Sequence, residues 1–67
     1  MNESRPSVDP LGVYSVKRAC AELGVCYKTL RKYRMNGYIQ PINPSISRRL
    51  KYSGQSILDC WLKLRML

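Results

Sequence analysis

The apolar residues Val16, Ala19, Cys20 and Leu23 recur at the spacing of one helical face, and Gly24 stops the run directly after Leu23. This break constrains the chain more than any other feature. Glycine enters left-handed backbone at little steric cost, so it can end one helix and turn the chain tightly into the next. Ser15 precedes the run and can cap it by accepting a hydrogen bond from a backbone N–H. A first helix is therefore expected over Val16–Leu23. A second is expected over about 26–35, where Leu30 and Tyr33 turn inward with Val25 while Tyr27, Lys28, Arg31 and Lys32 lie outward. Gly37, just after Asn36, closes it.

Pro41 and Pro44 forbid a helix in the next stretch. Arg49, Leu50, Lys51 and Tyr52 then alternate polar and apolar, the pattern of a half-buried strand. The simplest expectation is a β-hairpin, residues 39–42 against residues 48–52, with an irregular tip at 43–47. Ser53 can cap a third helix over Gly54–Met66, in which Ile57, Trp61 and Leu64 form one stripe and Leu58, Leu62 and Met66 lie beside it. Residues 1–10 are polar and proline-bearing, so residues 1–13 are expected as a loosely held arm and 14–67 as the domain.

A chain of 67 residues builds one domain and buries only about 60% of the surface exposed on unfolding. The expected core is Val16, Ala19, Leu23, Val25, Leu30, Tyr33, Leu50, Ile57 and Trp61. Phe is absent, so Tyr33, Tyr38 and Tyr52 are expected to fill places where Phe would otherwise pack. There is no His, and Cys20, Cys26 and Cys60 form no CxxC pair, so neither a zinc site nor any cofactor is expected. The three cysteines read as reduced thiols. Asp9 and Asp59 stand alone and no Gly-rich phosphate loop occurs, so no catalytic set can be assembled. No apolar run reaches membrane-span length, and the N-terminal residues lack a signal-peptide core. Twelve Lys and Arg face four Asp and Glu, a formal charge of +8, which favours a polyanion partner.

Two short helices joined by a tight turn, the first with a small residue at its buried middle and the second with outward bases, describe a helix-turn-helix. Ala19 has no bulk, so the second helix can cross closely and protrude toward a major groove about 12 Å wide. The run from Tyr14 to Ile39 resembles the winged helix-turn-helix of the excisionase and MerR-type families. Ser15, Val16, Ala19, Leu23, Gly24, Val25, Thr29, Leu30, Gly37 and Ile39 fall where that family pattern places them. The basic strand at 48–52 and the helix containing Trp61 extend the likeness over about 14–64.

The resemblance implies a winged helix-turn-helix with three helices and a hairpin wing. It implies double-stranded DNA as partner, with Tyr27, Lys28, Thr29, Arg31 and Lys32 on the recognition helix and Arg48, Arg49 and Lys51 on the wing. Ser15, Lys17 and Arg18 are the expected auxiliary phosphate contacts. The chain departs from the pattern where Cys26 replaces the Ser or Thr that caps the second helix, where Lys17-Arg18 replaces an acid, and where Ser56 replaces an Asp. MerR-type regulators continue past the wing into a long dimerisation helix; the sequence ends at Leu67, which directs the resemblance to the excisionase-like group. That group implies an accessory role in recombination of a mobile element, with an integrase or recombinase, or further copies of the chain, as partner, and a cytoplasmic, nucleoid-associated setting. No membrane or small-molecule partner is expected. A small phage- or plasmid-type transcriptional regulator, an RNA-binding protein and a protein-interaction adaptor with an incidental basic face remain as alternatives, and the apolar end Leu64-Arg65-Met66-Leu67 leaves protein contact as a secondary role.

Overall fold

The computed structural model describes residues 5–43 and 49–66. Its elements are β1 (Val13–Ser15), α1 (Val16–Leu23), α2 (Tyr27–Met35), β2 (Lys51–Ser53) and α3 (Gly54–Met66). The fold is mainly α, with one two-stranded antiparallel sheet.

Local chemistry explains the helix ends. The Ser15 hydroxyl accepts the Arg18 N–H at 3.2 Å and opens α1. Gly24 closes it at φ 68° and ψ 36°, a conformation that costs an L-residue with a Cβ about 1–2 kcal/mol. In that turn the Val25 N–H reaches the Cys20 carbonyl at 3.0 Å, and the Gly24 N–H the Ala21 carbonyl at 3.3 Å. Two helix-end carbonyls are thus satisfied and the chain is aimed into α2. Cys26 stays extended as the N-cap of α2 and its side chain makes no capping bond. Gly37, at φ 78°, turns the chain after α2, and the Tyr38 N–H closes the turn on the Tyr33 carbonyl at 2.8 Å. Ser53 caps α3, its hydroxyl accepting the Ser56 N–H at 3.1 Å.

The sheet differs from the expected hairpin. β2 pairs with β1, in the register Val13↔Ser53, Tyr14↔Tyr52 and Ser15↔Lys51. The segment 39–42 forms no strand and keeps one ladder-like bond, from the Ile42 N–H to the Lys51 carbonyl at 2.8 Å. Pro41 has no N–H to donate, so a longer ladder cannot propagate back along this segment. Residues 44–48, with Arg48 and most of the expected tip, lie outside the described residues.

The arm also differs from the expected loose tail over 1–13. From Pro6 onward it lies against the body. Pro6 is buried and Val8 packs on the core. The Ser7 N–H donates to Glu22 at 2.9 Å, while the Arg18 guanidinium donates to the Ser7 carbonyl at 3.2 Å and to Glu22 at 2.7 Å. The carbonyls of Gly12 and Pro10 accept the Gly54 and Gln55 N–H groups at 2.9 and 3.1 Å, satisfying donors that the start of α3 would otherwise leave unpaired. Val13 belongs to β1 itself.

The core joins all these pieces. Ala19, Leu23, Leu30, Ile39, Leu50, Tyr52, Ile57, Cys60 and Trp61 are buried in one cluster. Val16, Val25 and Tyr33, expected inside, are half-buried at its edge, as are Tyr14 and Tyr38. Tyr52 is almost wholly buried and takes the place of a core Phe. Leu62 and Met66 remain exposed on α3.

Candidate nucleic-acid interface

The turn at Gly24 leaves α2 with one inward anchor, Leu30, and an exposed polar face. Tyr27, Lys28, Arg31 and Lys32 are all exposed on it; Thr29 is half-buried. Among the described residues none of Lys28, Arg31 and Lys32 is in an ion pair. Arg34 behaves differently: it is half-buried and lies close enough to Tyr52 to act on its hydroxyl. Burial raises the Tyr52 phenol above its ordinary range, and the Arg34 charge opposes that rise.

The start of α2 borders a cleft of about 260 Å³. Ser15, Val16 and Lys17 line it together with Arg49, Leu50 and Lys51, and Tyr27 lines it as well. The sheet register explains this meeting, since Ser15 and Lys51 are cross-strand partners. Leu50 is buried while Arg49 and Lys51 stay exposed, so the alternation of the segment places two cations on one face. The sequence-predicted groups Ser15, Lys17, Tyr27, Arg49 and Lys51 are therefore brought together, and Tyr27 joins the cleft to the exposed face of α2.

Arg18 does not join them. Its guanidinium is held by Glu22 and the Ser7 carbonyl and lies 5.3 Å from the centre of the Tyr14 ring. It clamps the arm, where the sequence had suggested a phosphate contact. The Arg18–Glu22 pair stands at i,i+4, a spacing at which helix neighbours meet, so the sequence did carry this signal.

Among the described residues the acids are occupied elsewhere, which leaves this face strongly positive. Glu22 accepts from Ser7 and Arg18, Asp9 accepts the Leu11 N–H at 2.9 Å, and Asp59 accepts from Gln55 at 2.8 Å. The Ser7 amide, then the Arg18 guanidinium, pull the Glu22 carboxyl below its ordinary range.

Cys26 adds a chemical feature beside Tyr27. It is exposed, with Sγ 3.3 Å from the Thr29 hydroxyl oxygen. That hydroxyl, then the Thr29 amide, draws the thiol below its ordinary range. Cys20 is pushed up by burial and by the neighbouring Cys26, and Cys60 is pushed up to about 11 by burial.

Asn43 was not foreseen. Its side chain donates to the Arg49 carbonyl at 3.1 Å and accepts the Lys51 N–H at 2.8 Å, so it holds the backbone that carries both cleft cations. Its position beside two prolines had marked it only as a loop residue.

Among the described residues no group of three His, Cys, Asp or Glu side chains could hold a metal ion, and no helix is long and apolar enough to cross a membrane. No family model, curated protein or solved structure matches the chain.

Proposed function

We propose that this chain binds double-stranded DNA as a winged helix-turn-helix, with α2 in the major groove and the Arg49–Lys51 segment as the wing. The observation that carries this reading is the basic cleft, in which Lys17 from the start of α1 and Tyr27 from the start of α2 line one cavity with Arg49 and Lys51. Cations that flank a protruding helix suit the two phosphate strands that border a groove. Lys28, Arg31 and Lys32 would reach into the groove, where an Arg can bind a guanine edge bidentately with about 1–3 kcal/mol of discrimination. Lys17, Arg49 and Lys51 would hold backbone phosphates.

The biological role rests on the resemblance. We infer an excisionase-like accessory factor that sets the direction of recombination for a mobile element, acting with a recombinase or with further copies of itself. Leu62 and Met66, exposed one helical turn apart on α3, offer an apolar surface for such a protein contact. Selection from a random duplex pool, followed by sequencing of the retained DNA, tests the reading. A short enriched motif that Arg31→Ala loses supports a sequence-reading α2. Equal retention of single strands or A-form RNA would contradict it.

A further inference from the structure

The cleft owes one of its walls to a side chain outside it. β2 uses one edge for β1. In an antiparallel pair, successive residues turn their backbone groups to alternate edges. The Lys51 carbonyl accepts the Ile42 N–H at 2.8 Å, and the Lys51 N–H donates to Asn43 Oδ1 at 2.8 Å. On the same stretch the Arg49 carbonyl accepts from Asn43 Nδ2 at 3.1 Å. A single carboxamide thus bonds the backbone on both sides of Leu50, as a peptide group of a neighbouring strand would. Pro41 and the turn of the chain prevent a real strand from forming here, and the amide of Asn43 stands in for it.

The consequence falls on Arg49 and Lys51. Leu50 is anchored in the core at 6% exposure. With the backbone bonded on either side and Leu50 buried between them, Arg49 and Lys51 both stay exposed and both line the cleft with Lys17 and Tyr27. Two cations held close together repel, and nothing in their own side chains fixes their spacing. The carboxamide fixes it through the main chain.

We propose that Asn43 is a positioning residue for a phosphodiester-binding cleft: it holds Arg49 and Lys51 opposite Lys17 so that one stretch of DNA backbone is gripped from both sides. The assignment rests on the DNA-binding reading above and adds to it a residue that acts through the wing backbone.

The test compares wild type, Asn43→Ala, the Arg49→Ala/Lys51→Ala double variant and the triple variant. Each is titrated with a fluorescent duplex over a range of salt concentrations. A contact to phosphate contributes about −0.9 to the slope of log K against log salt. Asn43→Ala should make the slope shallower by roughly 1 to 2, approaching the double variant. In the double-variant background it should change nothing further, because its effect passes through those two residues. Amide exchange at Lys51 should become faster in Asn43→Ala, while helix amides keep their protection. Should Asn43→Ala unfold, Asn43→Ser, which keeps an acceptor for the Lys51 N–H, is read in its place. A wild-type slope for the Asn43 variant alongside a shallower slope for the double variant overturns the positioning role alone. So does a further loss in the triple variant, which would mean that Asn43 touches DNA itself. Absence of duplex binding by the wild type overturns the DNA reading and this proposal together.

Discussion

Gly54 lies directly against Asp9: a Cβ at Gly54 would overlap the Asp9 carbonyl oxygen and stand 2.6 Å from its carbon. The contact is backbone on backbone, so no side-chain rotation can relieve it. Only glycine lets the Asp9–Gly12 turn sit on the start of α3, where the Pro10 and Gly12 carbonyls accept the Gln55 and Gly54 N–H groups.

Gly54→Ala is therefore expected to push the arm off α3. Overpacking of this kind typically costs ~1–3 kcal/mol. The urea midpoint should fall, and limited proteolysis should cut within residues 5–12 before it cuts α1. An unchanged midpoint with a protected arm would contradict the contact.

The arm latch should also depend on pH. The Glu22 carboxyl is held below its ordinary value of 4.5, first by the Ser7 amide and then by Arg18. A group whose folded pKa is depressed adds stability above its unfolded pKa and loses it as pH falls through the folded one. Arm protection should be full near neutrality and should decline on acidification below about 4.5. Glu22→Gln should weaken the arm at neutral pH and flatten this decline. Amide exchange at Ser7, followed from pH 6 to pH 3, checks both.

Much of the fold was legible in the chain, and the reasons for the rest are physical. α1 and α3 occupy the spans expected of them because capping Ser residues and Gly24 mark their ends locally. The partner of β2 was hidden because β1 is three residues long and leaves no alternating pattern to read. Its pairing is a long-range event that local propensity does not encode. The docked arm was hidden for a similar reason: Pro6 and Val8 are isolated apolar residues without a period. The cleft combines both cases. Its residues were recognisable singly from charge and position, but the cross-strand pairing of Ser15 with Lys51 that assembles them was not.

The three thiols should differ in reactivity. The thiolate is the nucleophile, so alkylation follows thiolate fraction and exposure. Cys26 is exposed and drawn down by Thr29, whereas Cys20 and Cys60 are pushed up by burial, Cys60 to about 11. Brief iodoacetamide treatment of the native protein, read by peptide mass spectrometry, should label Cys26 first. Thr29→Val should slow that labelling. Equal labelling of Cys60 in the folded state would contradict the packing of α3.

Gly24 governs the angle at which α2 leaves α1. Gly24→Ala places a Cβ at φ 68° and should cost about 1–2 kcal/mol, seen as a lower melting temperature. Because the turn aims α2, DNA affinity should fall in the same variant even at temperatures where it stays folded.

The most direct test of the central claim is a salt titration of duplex binding by the wild type, Arg31→Ala, Lys51→Ala and Lys63→Ala. Arg31 is exposed on α2, Lys51 lines the cleft, and Lys63 stands on α3 outside the cleft lining. The account predicts steeply salt-dependent binding. Arg31→Ala should lose discrimination between sites, Lys51→Ala should make the slope shallower by about 1, and Lys63→Ala should bind as the wild type does. No duplex binding at low salt, or equal losses from all three substitutions, would contradict it.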